Sequence, residues 1–196
     1  GEDRRYAAMK FFIYTFTASV VMLIGILVMY FNTGASISER SFDMIAMLDS
    51  GGQMSEGLRH LVWVLLLIGF ATKMPSVPVH TWLPDAHVQA PTAGSMILAG
   101  VMLKMGAYGF LRVAVTAFPE STVVFTPLLV FLGMASLAYG AWVCMGQSNL
   151  KRMVAYSSVS HMGLIFLGIA TMQPLGIAGA LFMMFAHGII SPLLFA

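Results

Sequence analysis

Apolar residues run along this chain in long blocks separated by short polar stretches. The first block extends from about Tyr6 to Phe31, behind the charged start Glu2-Asp3-Arg4-Arg5. A polar stretch from Asn32 to Glu56 follows, holding Glu39, Arg40, Asp43, Asp49 and Glu56 and the pair Gly51-Gly52. It reads as an extramembrane loop over residues 33–56, within which Phe42 to Leu48 is suited to lie along a membrane surface. Further blocks cover Gly57 to Thr72, Pro91 to Val115, Thr122 to Met145, Met153 to Met172, and Leu175 to the end of the chain. A helix needs about 20 apolar residues to cross a bilayer core, and only helices or closed barrels satisfy their backbones in lipid. The pattern therefore predicts an all-α, polytopic transmembrane helix bundle of about six spans, with residues 1–196 forming one membrane domain.

The second block is interrupted. Lys73-Met74-Pro75-Ser76-Val77-Pro78 places two prolines where helix would otherwise continue, and each removes a backbone donor and disfavours helix just upstream. The expected element is a discontinuous helix broken near Lys73–Pro78, with a short second piece through His80, Thr81 and Trp82 that ends at Leu83-Pro84-Asp85-Ala86-His87.

Composition supports a lipid solvent: 59% of residues are hydrophobic and 9% charged, with a mean hydropathy of +0.86. A water-soluble fold is excluded on those values. The net charge of +2 contains no basic block, so nucleic acid is not an expected partner. A single cysteine, Cys144, rules out a disulfide framework and Cys-ligated clusters. His60, His80 and His87 lack a recognisable metal-ligand spacing, and the 17 methionines are scattered as packing residues, so no metal is expected. Nor is there a phosphate-cradling glycine loop, a nucleophile motif or a redox cofactor site. The chain lacks an initiating methionine and stops at Ala196 inside an apolar run, which reads as an excerpt of a longer protein. With the N-terminus in the cytoplasm, Arg4, Arg5, Lys10, Lys151 and Arg152 fall inside against Arg40, Arg59 and Arg112 outside, which favours that orientation.

Ionisable residues far from the ends of membrane spans are functional candidates by default. There are four: Lys73, Lys104, His161 and His187. Lys104 lies about 13 residues into its span, roughly 20 Å deep, beyond the reach of snorkelling. Desolvation there disfavours the ammonium, so a lysine can both release and accept a proton where an arginine could not. The competing reading is a buried salt bridge that only fixes packing. Lys73 sits at the helix break, where freed carbonyls and water solvate a charge, or else it simply marks the membrane boundary. His161 has Ser157 at i−4 and Ser158 at i−3 on its own face, a polar stripe able to hold water, with Ser160 beside it. It reads as a proton carrier or as an ordinary core histidine satisfied by a serine. His187 has few polar neighbours on its own helix, so any relay partner comes from another. All eight carboxylates fall in loops or at span ends, so a counter-ion for Lys73 or Lys104 at the midplane has to come from outside this chain.

The stretch from Lys73 to Ser95, written Lys-Met-Pro-Ser-Val-Pro-Val-His-Thr-Trp-Leu-Pro-Asp-Ala-His-Val-Gln-Ala-Pro-Thr-Ala-Gly-Ser, resembles the most recognisable part of the antiporter-like membrane subunits of respiratory complex I. So do Leu98 to Gly109, Leu150 to Gly163, and Ala186-His187-Gly188. Within that family, the wording of His87 to Ser95 resembles the chain 4 branch. The resemblance covers most of the chain and is weakest over residues 33–56. It implies a proton relay in which Lys73 pairs with a glutamate on an earlier helix and protons pass through Lys104, His161 and His187, with Ser157, Ser158 and Tyr108 as supporting polar groups. It further implies neighbouring antiporter-like subunits and the lipid bilayer as partners. Location would be a bacterial plasma membrane, with the mitochondrial inner membrane as the alternative. NADH, FMN, iron-sulfur clusters and quinone would be held by other subunits of the parent complex. Two other functions compete: a subunit of a Mrp-type cation/proton antiporter or membrane-bound hydrogenase, and a membrane scaffold whose buried charges only set helix packing.

Overall fold

The computed structural model describes residues 3–196; Glu2 of the charged start lies outside them. Among the described residues all regular structure is helical. Helix α1, Arg4–Phe31, is followed by a loop carrying the short helix α2, Met44–Ser50, where the sequence suggested a surface segment at Phe42 to Leu48. Helix α3, Glu56–Lys73, runs into the break, and α4, Trp82–Gln89, resumes after it. The next span covers Thr92–Val115 as α5, Thr92–Ile97, a π-helical turn over Leu98–Met102, α6, Leu103–Gly109, and a second π-helical turn over Phe110–Val115. Helix α7, Pro119–Val124, precedes three long helices: α8, Thr126–Met145, α9, Leu150–Ala170, and α10, Pro174–Phe195.

Five of these stretches are long and apolar enough to cross a membrane: α1, Thr92–Val115, α8, α9 and α10. The sixth expected span is α3, which carries Glu56, Arg59 and Lys73 and depends on its broken continuation. Several boundaries differ from the sequence expectation for local reasons. The piece after the break begins where the sequence suggested that it ends, because Pro84 lies in the first turn of α4, where a missing N–H costs nothing. The fourth block divides at Phe125, just before Pro127 in the first turn of α8. Helix α9 begins at Leu150 rather than Met153, because the Asn149 side chain caps it by accepting from Arg152 N at 3.2 Å.

Packing relies on small residues, as expected where lipid supplies no hydrophobic drive between helices. A Cβ on Gly140 of α8 would lie 2.7 Å from Ser160 N of α9, and one on Gly163 would lie 2.6 Å from Gly133 O. The backbones of α8 and α9 therefore touch, and His161 lies between two contact points. The ends are closed by charge. Asp85 of α4 accepts from Lys10 Nζ at 2.7 Å and from Arg152 Nη2 at 2.8 Å, joining α1, α4 and α9. At the opposite end α3 meets α7 through Arg59–Glu120, His60–Ser121 and Trp63–Thr122.

The break itself is sealed. Ser76 Oγ donates to Ala71 O at 3.2 Å and Trp82 Nε1 to Thr72 O at 3.0 Å, so carbonyls released by the broken helix are satisfied by the chain. Val77 N donates to Ser136 Oγ of α8 at 2.9 Å, and Ser76, His80 and Trp82 are buried. Irregular backbone at membrane depth is tolerated on those terms.

Candidate functional site: an amine and two imidazoles between three helices

The π-helical turn over Leu98–Met102 ends immediately before α6, which carries Lys104. Opposite it, Gly100 and Gly188 let the span and α10 approach closely. A Cβ on Gly100 would lie 2.9 Å from Pro192 Cγ, and one on Gly188 would lie 3.2 Å from Gly100 O and 3.8 Å from Lys104 Cε. That approach sets the amine against the imidazole of α10. Lys104 Nζ stands 2.6 Å from His187 Nδ1 and also donates to Ala99 O. His187 is 3% exposed, and its other nitrogen, Nε2, lies 3.0 Å from Ser191 Oγ and 3.1 Å from Ser158 Oγ of α9. The His161 ring stands nearly perpendicular to that of His187, with centroids 5.3 Å apart, and its Nδ1 is buried without a hydrogen-bond partner among the described residues. Both rings line a cavity of about 80 Å³ together with Ser157, Met183, Ser191 and Leu194. It has the volume for a water, and the two serines and two imidazoles are the polar groups of an otherwise apolar lining.

Three of the four sequence candidates thus form one cluster. Lys73 does not join it. It lines a separate cavity of about 260 Å³ with Phe11, Thr15, Ser19, Trp82 and Leu103, walled by α1, α4 and the span that carries Lys104 rather than by α10. Tyr108 is half-exposed on the wall of an open cleft of about 540 Å³ that also receives Lys104.

The serines are placed differently from the sequence reading. Ser157 Oγ donates to Val154 O at 2.8 Å and lines the His161 cavity without bonding the ring. Ser158 turns to His187, and Ser160 donates to Leu137 O at 3.0 Å. The expectation that His187 has few polar neighbours on its own helix also needs correction. Ser191, at i+4, contacts it directly, and that spacing was readable in the sequence. Two further histidines emerge only from the fold. His80 is buried between Tyr139 and Tyr156, His87 stacks on Phe195 with ring centroids 4.4 Å apart, and neither has a partner for its ring nitrogens among the described residues.

No carboxylate among the described residues lies within salt-bridge reach of Lys73 or Lys104; the acidic partners are spent on Lys10, Arg152, Arg59 and His60. An ammonium buried without a counter-ion costs several kcal/mol. At Lys104 a neutral imidazole shares that charge through a hydrogen bond, and proton transfer along the bond is the one chemical step the geometry offers.

A bundle of membrane-crossing helices with one broken helix and an amine–imidazole pair at lipid depth defines a class of polytopic membrane proteins that hold titratable groups inside the bilayer. Comparison with known proteins makes the class specific: the chain belongs to the NADH:quinone oxidoreductase/Mrp antiporter transmembrane family, whose model matches residues 1–196. It is similar to NADH-quinone oxidoreductase subunit M of Rickettsia prowazekii (strain Madrid E), 44% identical over all of this chain and 38% of that protein. It is 43% identical to NADH-ubiquinone oxidoreductase chain 4 of Prototheca wickerhamii over 99% of this chain and 36% of that one. Among solved structures it resembles respiratory complex I from Thermus thermophilus with bound NADH, with a TM-score of 0.87 and 31% identity over 100% of this chain and 40% of that chain. It also resembles the Mrp complex from Dietzia sp. DQ12-45-1b, with a TM-score of 0.83 and 25% identity over 97% and 34%. The chain spans less than two-fifths of the length of the subunit M relatives. It is an integral membrane segment.

Proposed function

We propose that this chain is the proton-carrying part of an antiporter-like subunit of NADH:quinone oxidoreductase, and that Lys104, His187 and His161 pass protons through it. The observation that carries this reading is the 2.6 Å contact from Lys104 Nζ to His187 Nδ1 at membrane depth, made without a carboxylate among the described residues. A charged Lys104 breaks an N–H bond as Nδ1 forms one, and the positive charge moves onto the imidazole. His187 and His161 line one small cavity with Ser157 and Ser191, and the next step is release of the His187 Nε2 proton through a bridging water to His161. Lys73 is the control group: a counter-charge supplied from the rest of the protein, or from a neighbouring subunit, sets how readily its ammonium forms. Quinone reduction elsewhere in the complex then acts by changing the charge around Lys73, an interaction that low local dielectric makes strong.

On this reading the chain holds no redox cofactor. NADH, FMN, iron-sulfur clusters and quinone belong to other subunits, and its partners are neighbouring antiporter-like subunits in a bacterial plasma membrane. The translocase activity belongs to the assembled enzyme. Replacing Lys104 with alanine in the full complex tests the proposal by quinone-dependent acidification of membrane vesicles; unimpaired pumping would sink it. The likeness to the Mrp complex favours one second reading, a cation/proton antiporter subunit, which sodium-dependent transport without NADH oxidation would establish. A scaffold role predicts instead that Lys73→Met and Lys104→Met leave transport intact.

A further inference from the structure

Ser158 and Ser191 reach His187 from two different helices, and both approach the same nitrogen. Their oxygens lie 3.1 and 3.0 Å from Nε2, and 3.5 Å from each other. Both side chains are buried, at 0% and 2% exposure. The hydrogen of Ser158 is already committed, because its Oγ donates to Val154 O at 3.1 Å on its own helix. Toward His187 Ser158 therefore offers lone pairs, and an oxygen that only accepts requires a hydrogen on Nε2. A neutral imidazole with its hydrogen on Nε2 has its lone pair on Nδ1, and Nδ1 is the atom facing Lys104 Nζ at 2.6 Å. The opposite tautomer would turn an N–H toward the ammonium and set the lone pair of Nε2 against the oxygen of Ser158.

We propose that Ser158 and Ser191 are positioning residues that favour the Nε2–H form of neutral His187 before transfer, so that Nδ1 takes the proton from Lys104 and Nε2 releases the one that is passed on. The same two oxygens also accept from the imidazolium formed by that transfer, so the clamp serves both charge states. This inference rests on the reading of Lys104 and His187 as proton carriers. The groups facing the ring are Lys104 from α6, His161 and Ser158 from α9, and Ser191 from its own helix; among them the serines alone do not titrate in the working range.

The test uses the intact complex in membrane vesicles, with assembly followed on native gels and quinone-linked acidification as the rate. Removing both hydroxyls, in Ser158→Ala with Ser191→Ala, is expected to slow acidification roughly tenfold, because the wrong tautomer is then populated. Ser191→Thr in the otherwise native chain is expected to stay within about twofold of wild type, because it keeps the oxygen. A packing role predicts the reverse order, since alanine fits the space and the threonine methyl does not; that order overturns the proposal. His187→Ala separates the two levels. If it pumps normally, the relay reading itself fails; if it is impaired while the double alanine variant matches wild type, only the clamp fails. Should the double variant not assemble, Ser158→Thr and Ser191→Thr in assembled complex decide. Near-native rates support the clamp, and a roughly tenfold fall overturns it.

Discussion

Lys73 and Lys104 are both amines at membrane depth, each on a helix that departs from α geometry beside it, yet their surroundings differ. Lys104 follows a π-helical turn and finds an imidazole, a backbone carbonyl and two serine-held contacts at one remove, all within this chain. Lys73 ends α3 at the proline break and meets a cavity lined mainly by apolar groups, with the hydroxyls of Thr15 and Ser19 at its wall. The difference teaches that the two lysines are not equivalent stations. One has its proton-sharing partners within this chain; on the proposed function the other takes its counter-charge from beyond these residues.

The largest effect tests the Lys104 station. Lys104→Ala should lower quinone-linked acidification by roughly 10²-fold, the size expected when a positioned proton carrier is lost. A loss confined to Lys73→Ala would reverse the assignment of roles. Next, Ser19→Asp places a carboxylate in the Lys73 cavity, where it traps the ammonium; acidification should slow several-fold while assembly is unchanged. The same rate in wild type and Ser19→Asp would show that the charge around Lys73 does not control transfer.

Asp85→Asn asks what an unpaired amine costs in this bundle. It deprives Lys10 and Arg152 of their partner together, and because both pairs are partly exposed the expected cost is about 1–3 kcal/mol, below that of a fully buried pair. Thermal unfolding of the complex in detergent measures it, and no loss would remove the reason to seek a counter-charge for Lys73. The smallest effect belongs to Arg59–Glu120, where Glu120 is 71% exposed. A double-mutant cycle there should give less than about 1 kcal/mol; a value above that of Asp85→Asn would show that burial does not set the scale.

Much of the candidate site was legible along the chain because depth and breakage are local properties. Counting residues from a span end places Lys104 near the midplane, and Pro75 and Pro78 stop α3 whatever packs beside it. Ser191 was equally legible at i+4 from His187. The partners of Ser157 and Ser158 were not legible, since a helix face names the residues that share it and not the neighbour that occupies it. Pro84 misled in the same way: proline ends a helix or opens one according to what surrounds it. The π-helical turn before Lys104 had no local signature in the sequence; it lies where Gly100 and Gly188 bring α10 close.

By itself, then, the sequence determined the lipid solvent, the helical class, the break after Lys73 and the short roster of titratable groups held away from water. Hydrophobic length, proline geometry and the cost of burying charge act within a few residues or average over a span, so they need no knowledge of the fold. Tertiary structure decided which of those groups meet. Lys104 and His187 are 83 residues apart in the chain and 2.6 Å apart in space, and the two glycine contacts that bring their helices together acquire meaning only once the helices are packed. Lys73, equally prominent in the sequence, was set in a different cavity by the same packing.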